Sequence, residues 1–191
     1  MDSILSLAVC AAGICGAQLA YWLPLKKRDR FRLRALLDLI MVIPLSRLMV
    51  FGNSGCLDAL LLLVIYAVYF TCAAVSTHLC TRLDWAASAY CSVWIVLTSE
   101  SVYELWRVLI WTAEALGMRH LSLYSTPMLL GQLGFTVVCC IVVRFTVART
   151  MPEDGTYHIG PRQLGSAGLL GVMFVFQFFA LQTSLRIGLR P

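Results

Sequence analysis

The sequence predicts an all-α fold, a polytopic membrane bundle of about six transmembrane helices with no soluble domain. Two observations predict it. The 191 residues are 60% hydrophobic and only 13% charged, with a mean hydropathy of +0.81, against about 45–50% apolar and about 25% charged in an ordinary soluble domain. The apolar residues also fall in runs of roughly 20, the length a helix needs to cross a bilayer. The whole chain, residues 1–191, reads as one transmembrane domain.

Length places the elements, because a membrane helix can be apolar all round and periodicity says little. The expected spans are 3–25, 35–51, 57–79, 85–111, 128–147 and 164–185. The first lacks a basic stretch before its apolar run, which suits a retained span rather than a signal peptide. The connections are short. The first reads KKRDRFRLR, with six basic residues and one acid. The second, GNSGC, is a Gly/Asn turn, and residues 80–84 form another short turn. The connection over 112–127 is mixed, and ARTMPEDGTYHIGPRQ is punctuated by Pro and Gly.

Lys26, Lys27, Arg28, Arg30, Arg32 and Arg34 set the orientation, since positive charge is retained on the cytoplasmic side. They place the N-terminus outside. Their simplest role is as a topology determinant, although such clusters also attract anionic headgroups. Counting alternately, Arg186 and Arg190 fall on the disfavoured outer side. Trp22, Trp85, Trp106 and Trp111 lie near span ends and read as interfacial anchors. Ala8/Ala12, Gly13/Ala17 and Ala167/Gly171 read as helix-packing faces.

Ionisable groups inside spans are costly and therefore informative. Arg47 sits roughly 18 Å and Glu100 roughly 22 Å from the inner ends of their helices at 1.5 Å per residue. At that depth the two could meet, with Gln132 and Gln177 near the same level. Glu100, Glu104 and Arg107 are spaced i, i+4, i+7 and share one helix face. Pro44 removes a helical hydrogen bond three residues before Arg47. Two readings stand: a ligand pocket open to the outside, or an Arg47–Glu100 clamp that only fixes helix register. Asp38 reads as reaching the inner interface.

No catalytic constellation emerges. His78 and Cys80 are two residues apart, so on a helix they diverge. The cysteines lie mostly in apolar runs, with no CxxC pair and no zinc spacing. Phosphate-loop, HExxH and GxSxG motifs are absent. The chain therefore reads as non-enzymatic, with no cofactor and no metal. The lipid bilayer is its expected partner. Nucleic acid is not expected, since topology accounts for the basic residues.

Three segments carry a family resemblance. They are Trp22-Leu23-Pro24-Leu25-Lys26-Lys27-Arg28 running to Phe31 and Arg34; Leu83-Asp84-Trp85-Ala86-Ala87-Ser88-Ala89-Tyr90-Cys91 continuing to Tyr103; and Met151-Pro152-Glu153-Asp154-Gly155-Thr156-Tyr157-His158-Ile159-Gly160-Pro161-Arg162-Gln163-Leu164. In these the chain resembles the N-terminal membrane sensor region of bacterial GHKL-type histidine kinases, the accessory-gene-regulator-like peptide sensors. The third segment is the most specific. The resemblance implies a sensor of an extracellular signal, a peptide ligand, two-component signalling, a homodimer and the bacterial plasma membrane. Members often carry a Gln-His pair where this chain has Ser99-Glu100. They also continue through a seventh span into a dimerisation helix and an ATP-binding domain, so the expectation is a sensor that stops before its catalytic part. The alternative is a small six-helix transport component, the substrate-binding subunit of a transporter. An intramembrane peptidase would need convergent catalytic groups that the sequence does not place together.

Overall fold

The structure is a computed structural model that describes residues 2–52, 59–116, 125–146 and 159–188. Within them the chain forms six helices, α1 (Asp2–Trp22), α2 (Phe31–Gly52), α3 (Ala59–Cys80), α4 (Trp85–Ala115), α5 (Thr126–Phe145) and α6 (Pro161–Gly188). Of these, α1, α3 and α5 carry stretches long and apolar enough to cross a membrane. The GNSGC turn beyond Gly52, most of the 112–127 and 148–163 connections, Arg149 and Arg190 lie outside the described residues, as do the side chains of Gln177 and Arg186.

Helix boundaries follow local chemistry. The first helix stops at Trp22, three residues before the expected 25, because Pro24 cannot extend the ladder. The second begins at Phe31, earlier than the expected 35, so Arg32 and Arg34 are on the helix rather than in the connection. It continues through Pro44. Asp84 caps α4 by accepting from the Ala87 amide at 2.8 Å. The fourth helix then runs four residues past the expected 111, to Ala115. Pro127 sits in the first turn of α5, where its missing N–H costs nothing.

The fourth helix is central and packs against α1, α3, α5 and α6, while α1 also packs against α2 and α5. The core is hydrophobic, and the exterior is apolar as well. Leu36, Leu37, Ile40 and Met41 of α2 are exposed, as are Leu63 and Val64 of α3 and Val137, Val138, Ile141 and Val142 of α5. Gln18, Asp38, Ser46, Thr77, Ser88, Ser92, Ser99 and Glu100 are buried. An apolar exterior of this extent fits a lipid solvent.

Small residues let helices approach. A Cβ on Gly16 would lie 2.9 Å from the Cys140 sulfur, so α1 and α5 meet closely there. Ala167 is the buried member of the α6 pair, and a Cβ on Gly171 would lie 3.7 Å from Val93 of α4, an ordinary contact.

One end of the bundle is tied by backbone bonds between the α1–α2 and α3–α4 turns. The Arg28 amide donates to the Cys80 carbonyl at 3.1 Å, and the Arg82 amide to the Lys26 carbonyl at 2.9 Å. Two of the six basic residues cap the end of α3. Arg28 Nε donates to the Thr81 carbonyl and Arg34 to the Leu79 carbonyl, each at 2.7 Å. Guanidinium groups suit these positions because helix C-terminal carbonyls lack partners and carry partial negative charge. Lys26, Lys27, Arg30 and Arg32 are exposed. Arg30 takes a left-handed backbone, φ 58°, to turn the chain into α2.

Candidate functional site

Hydrogen bonds between helices run through the interior. Nearest the basic end, Trp22 Nε1 donates to Thr77 Oγ1 at 3.0 Å. The Gln18 amide donates to Asp38 Oδ1 at 3.3 Å. The Tyr21 and Thr98 hydroxyls lie 3.0 Å apart. Those of Tyr69 and Ser99 lie 2.6 Å apart. At the far end the Tyr66 phenol donates to Glu100 Oε2 at 3.0 Å. A polar group left without a partner inside hydrocarbon costs several kcal/mol, so each of these pairs fixes the azimuth of two helices.

Beyond Glu100 a cleft of about 60 Å³ opens among α1, α2, α4 and α5. Ser6 and Cys10 come from the first half of α1, Val50 from the end of α2, Glu100, Trp106 and Arg107 from the second half of α4, and Gln132 from the first half of α5. In an alternating bundle these positions share the end opposite the basic turn. A water needs about 10–15 Å³ by this measure and drug-sized ligands occupy about 300–1,000 Å³. The cleft therefore has room for a terminal group, not for a whole peptide.

The predicted residues divide. Glu100 is 6% exposed and Gln132 9% exposed, and both line the cleft. Glu104 joins through Arg107, with Nη1 2.9 Å from Oε1. The Arg107 guanidinium lies 5.8 Å from the Tyr103 ring centre and 4.9 Å from that of Trp111, so its charge is met by one carboxylate and two aromatic faces. The side chain of Gln177 lies outside the described residues.

Arg47 does not meet Glu100. It is exposed, and among the described residues no ion pair joins them. The buried face of α2 is Asp38, Val42, Leu45, Ser46 and Met49, spaced by three and four. Arg47 lies one residue, about 100°, off that face. Asp38 is also corrected. It is 8% exposed and lies inside the bundle rather than at the interface, because Gln18 supplies a hydrogen bond that water would otherwise give. Of the four tryptophans read as anchors, two depart from that role. Trp22 is 2% exposed and bonded to Thr77, and Trp106 lines the cleft against Phe135 at 5.6 Å.

His78 is held by the fold's own contacts. It stacks on Trp85 at 4.0 Å, and its ring nitrogens lie 3.3 Å from Arg28 Nη2 and 3.1 Å from the Leu83 carbonyl. Cys80 beside it is buried. Among the described residues no group of His, Cys, Asp and Glu is arranged to hold a metal ion.

Two buried atoms, one on the cleft-lining Trp106 and one on the carboxylate that pairs with Arg107, have no hydrogen-bond partner among the described residues. Trp106 Nε1 and Glu104 Oε2 are buried and unpaired. Sequence reasoning missed Tyr66, Tyr69 and Trp106 as parts of the site. No protein-family model, curated protein or solved structure matches this chain.

Proposed function

We propose that the chain is a membrane-embedded sensor for an extracellular signal, the receptor part of a bacterial two-component system, lying in the plasma membrane as a six-span bundle with its N-terminus outside. One observation carries this reading: a cleft that holds Glu100, Gln132 and Arg107 beside the unpaired indole N–H of Trp106 lies at the end away from Lys26, Lys27, Arg28, Arg30, Arg32 and Arg34. The positive-inside rule assigns the basic end to the cytoplasm, so the cleft faces the medium. The resemblance to peptide-sensing histidine kinases supports a peptide signal, of which the cleft accommodates one end group.

A ligand shifts the bundle only by binding one helix arrangement better than another. The interhelical bonds from Tyr66–Glu100 through Tyr69–Ser99 and Gln18–Asp38 to Trp22–Thr77 supply discrete pairings that a ligand at Glu100 would bias.

The test uses the purified full chain and peptides fractionated from culture medium. A receptor gives a saturable rise in unfolding temperature that Glu100→Ala abolishes, with no accumulation of the peptide inside proteoliposomes. Accumulation would favour the transport reading, and the absence of any saturable shift would count against the sensor.

A further inference from the structure

We infer that the cleft receives a cationic head group, a primary ammonium or a guanidinium, with Glu100 as its counter-charge. This rests on the reading of the cleft as a ligand site and adds the chemistry of what enters it.

The charge inventory gives the sign. Glu100 and Arg107 are the acid and base among the cleft residues, with Glu104 beside them. Arg107 is already committed to Glu104 at 2.9 Å and lies against Tyr103 and Trp111. Arg47, the other arginine at this depth, is exposed. Among the described residues, Glu100 thus lines the cleft with a phenol donor from Tyr66 and forms no ion pair with a basic side chain. A buried carboxylate without a cation is costly, and an incoming cation would remove that cost.

The unpaired groups give the second, independent observation. Gln132 is nine-tenths buried and lines the cleft, where its amide oxygen can accept. Glu104 Oε2 is buried and unpaired. With Glu100 these offer three acceptor positions. An ammonium has three donors and no acceptor, and a guanidinium five. Trp106 lines the same space and adds an indole ring, the kind of surface that attracts cations. The remaining unpaired donor, Trp106 Nε1, suits a carbonyl or water that accompanies the cation. At about 60 Å³ the cleft matches such a head group with a methylene or two.

The experiment follows the unfolding temperature of the full chain in lipid-free detergent, at constant ionic strength, with methylguanidinium, methylammonium, N-acetyl-lysine methylamide, acetamide or acetate added. The cations are expected to give a saturable rise and acetate none. Glu100→Gln should weaken the apparent affinity at least tenfold, and Gln132→Leu, which leaves the charge in place, several-fold. The capped lysine exceeding methylammonium would identify a peptide side chain as the source. Methylammonium matching it, with a further rise from added phosphatidylethanolamine, would identify an amine or lipid head group. A saturable rise from acetate or acetamide instead would overturn the cationic assignment and leave the sensor reading standing. A full response to cations in both variants would also overturn it. No saturable rise from any probe would overturn it too, and only a parallel failure of secreted peptides would remove the sensor reading.

Discussion

The Tyr66 phenol donates to the Glu100 carboxylate across 3.0 Å, joining α3 to α4 at the edge of the cleft. The bond gives Glu100 the partner that depth alone would have assigned to Arg47. Tyr66→Phe should therefore destabilise the bundle by about 1–3 kcal/mol, because a buried acceptor loses its donor. Glu100→Gln keeps an acceptor and should cost less. Arg47→Ala should fall within about 0.5 kcal/mol of the unaltered chain. Unfolding midpoints in detergent give the order, and an Arg47→Ala loss equal to that of Tyr66→Phe would contradict it.

Depth is legible in the sequence where azimuth is not. Glu100 and Gln132 fall near one level because rise per residue converts position into height. The same arithmetic cannot tell Ser46, which is 0% exposed, from its exposed neighbour Arg47. Helix number follows from apolar length alone. Tyr66 and Tyr69 are hidden because an aromatic ring in an apolar run reads as packing. A signal is present: Leu62, Tyr66, Tyr69, Ala73, Ser76, Thr77 and Cys80 recur at helical spacing and form the buried stripe of α3. The capping role of Arg28 and Arg34 has no local signal, since the carbonyls they meet lie some 50 residues away in sequence on the other hairpin.

That capping separates the basic residues. Arg28→Ala should cost about 1–2 kcal/mol, because it removes a partly buried charged bond to Thr81 and the contact with His78. Arg34 is more exposed, and Arg34→Ala should cost about half as much. Arg32→Ala should be close to neutral. Lysine at position 28 should not restore the loss, since a point charge cannot reproduce the guanidinium fork. Thermal unfolding of the four variants checks the ranking.

Arg30 enters α2 through a left-handed backbone with φ 58°. A residue with a Cβ is destabilised there by roughly 1–2 kcal/mol, and glycine recovers part of it. Arg30→Gly should raise stability by about 0.5–1 kcal/mol, while Arg30→Val should lower it. A loss of stability with glycine would show that the side chain matters more than the turn.

Two glycines of α5 should respond oppositely to the same change. A Cβ at Gly131 would lie 2.9 Å and 3.2 Å from ring carbons of Trp106, whereas nothing lies within 4 Å of one at Gly134. Gly134→Ala should stabilise the helix by up to about 1 kcal/mol through propensity. Gly131→Ala should lose about 1–3 kcal/mol through overpacking and move the indole that lines the cleft. Tryptophan emission and the unfolding midpoint read both effects together. An unshifted spectrum in Gly131→Ala would contradict the contact.

The sidedness of the cleft is tested most directly by labelling Ser6→Cys and Arg30→Cys variants in intact cells with a membrane-impermeant maleimide, the modified positions being mapped by peptide mass spectrometry. Position 6 is expected to be modified from the medium, and position 30 only after the cells are permeabilised. Modification of position 30 in intact cells, with position 6 protected, would contradict it.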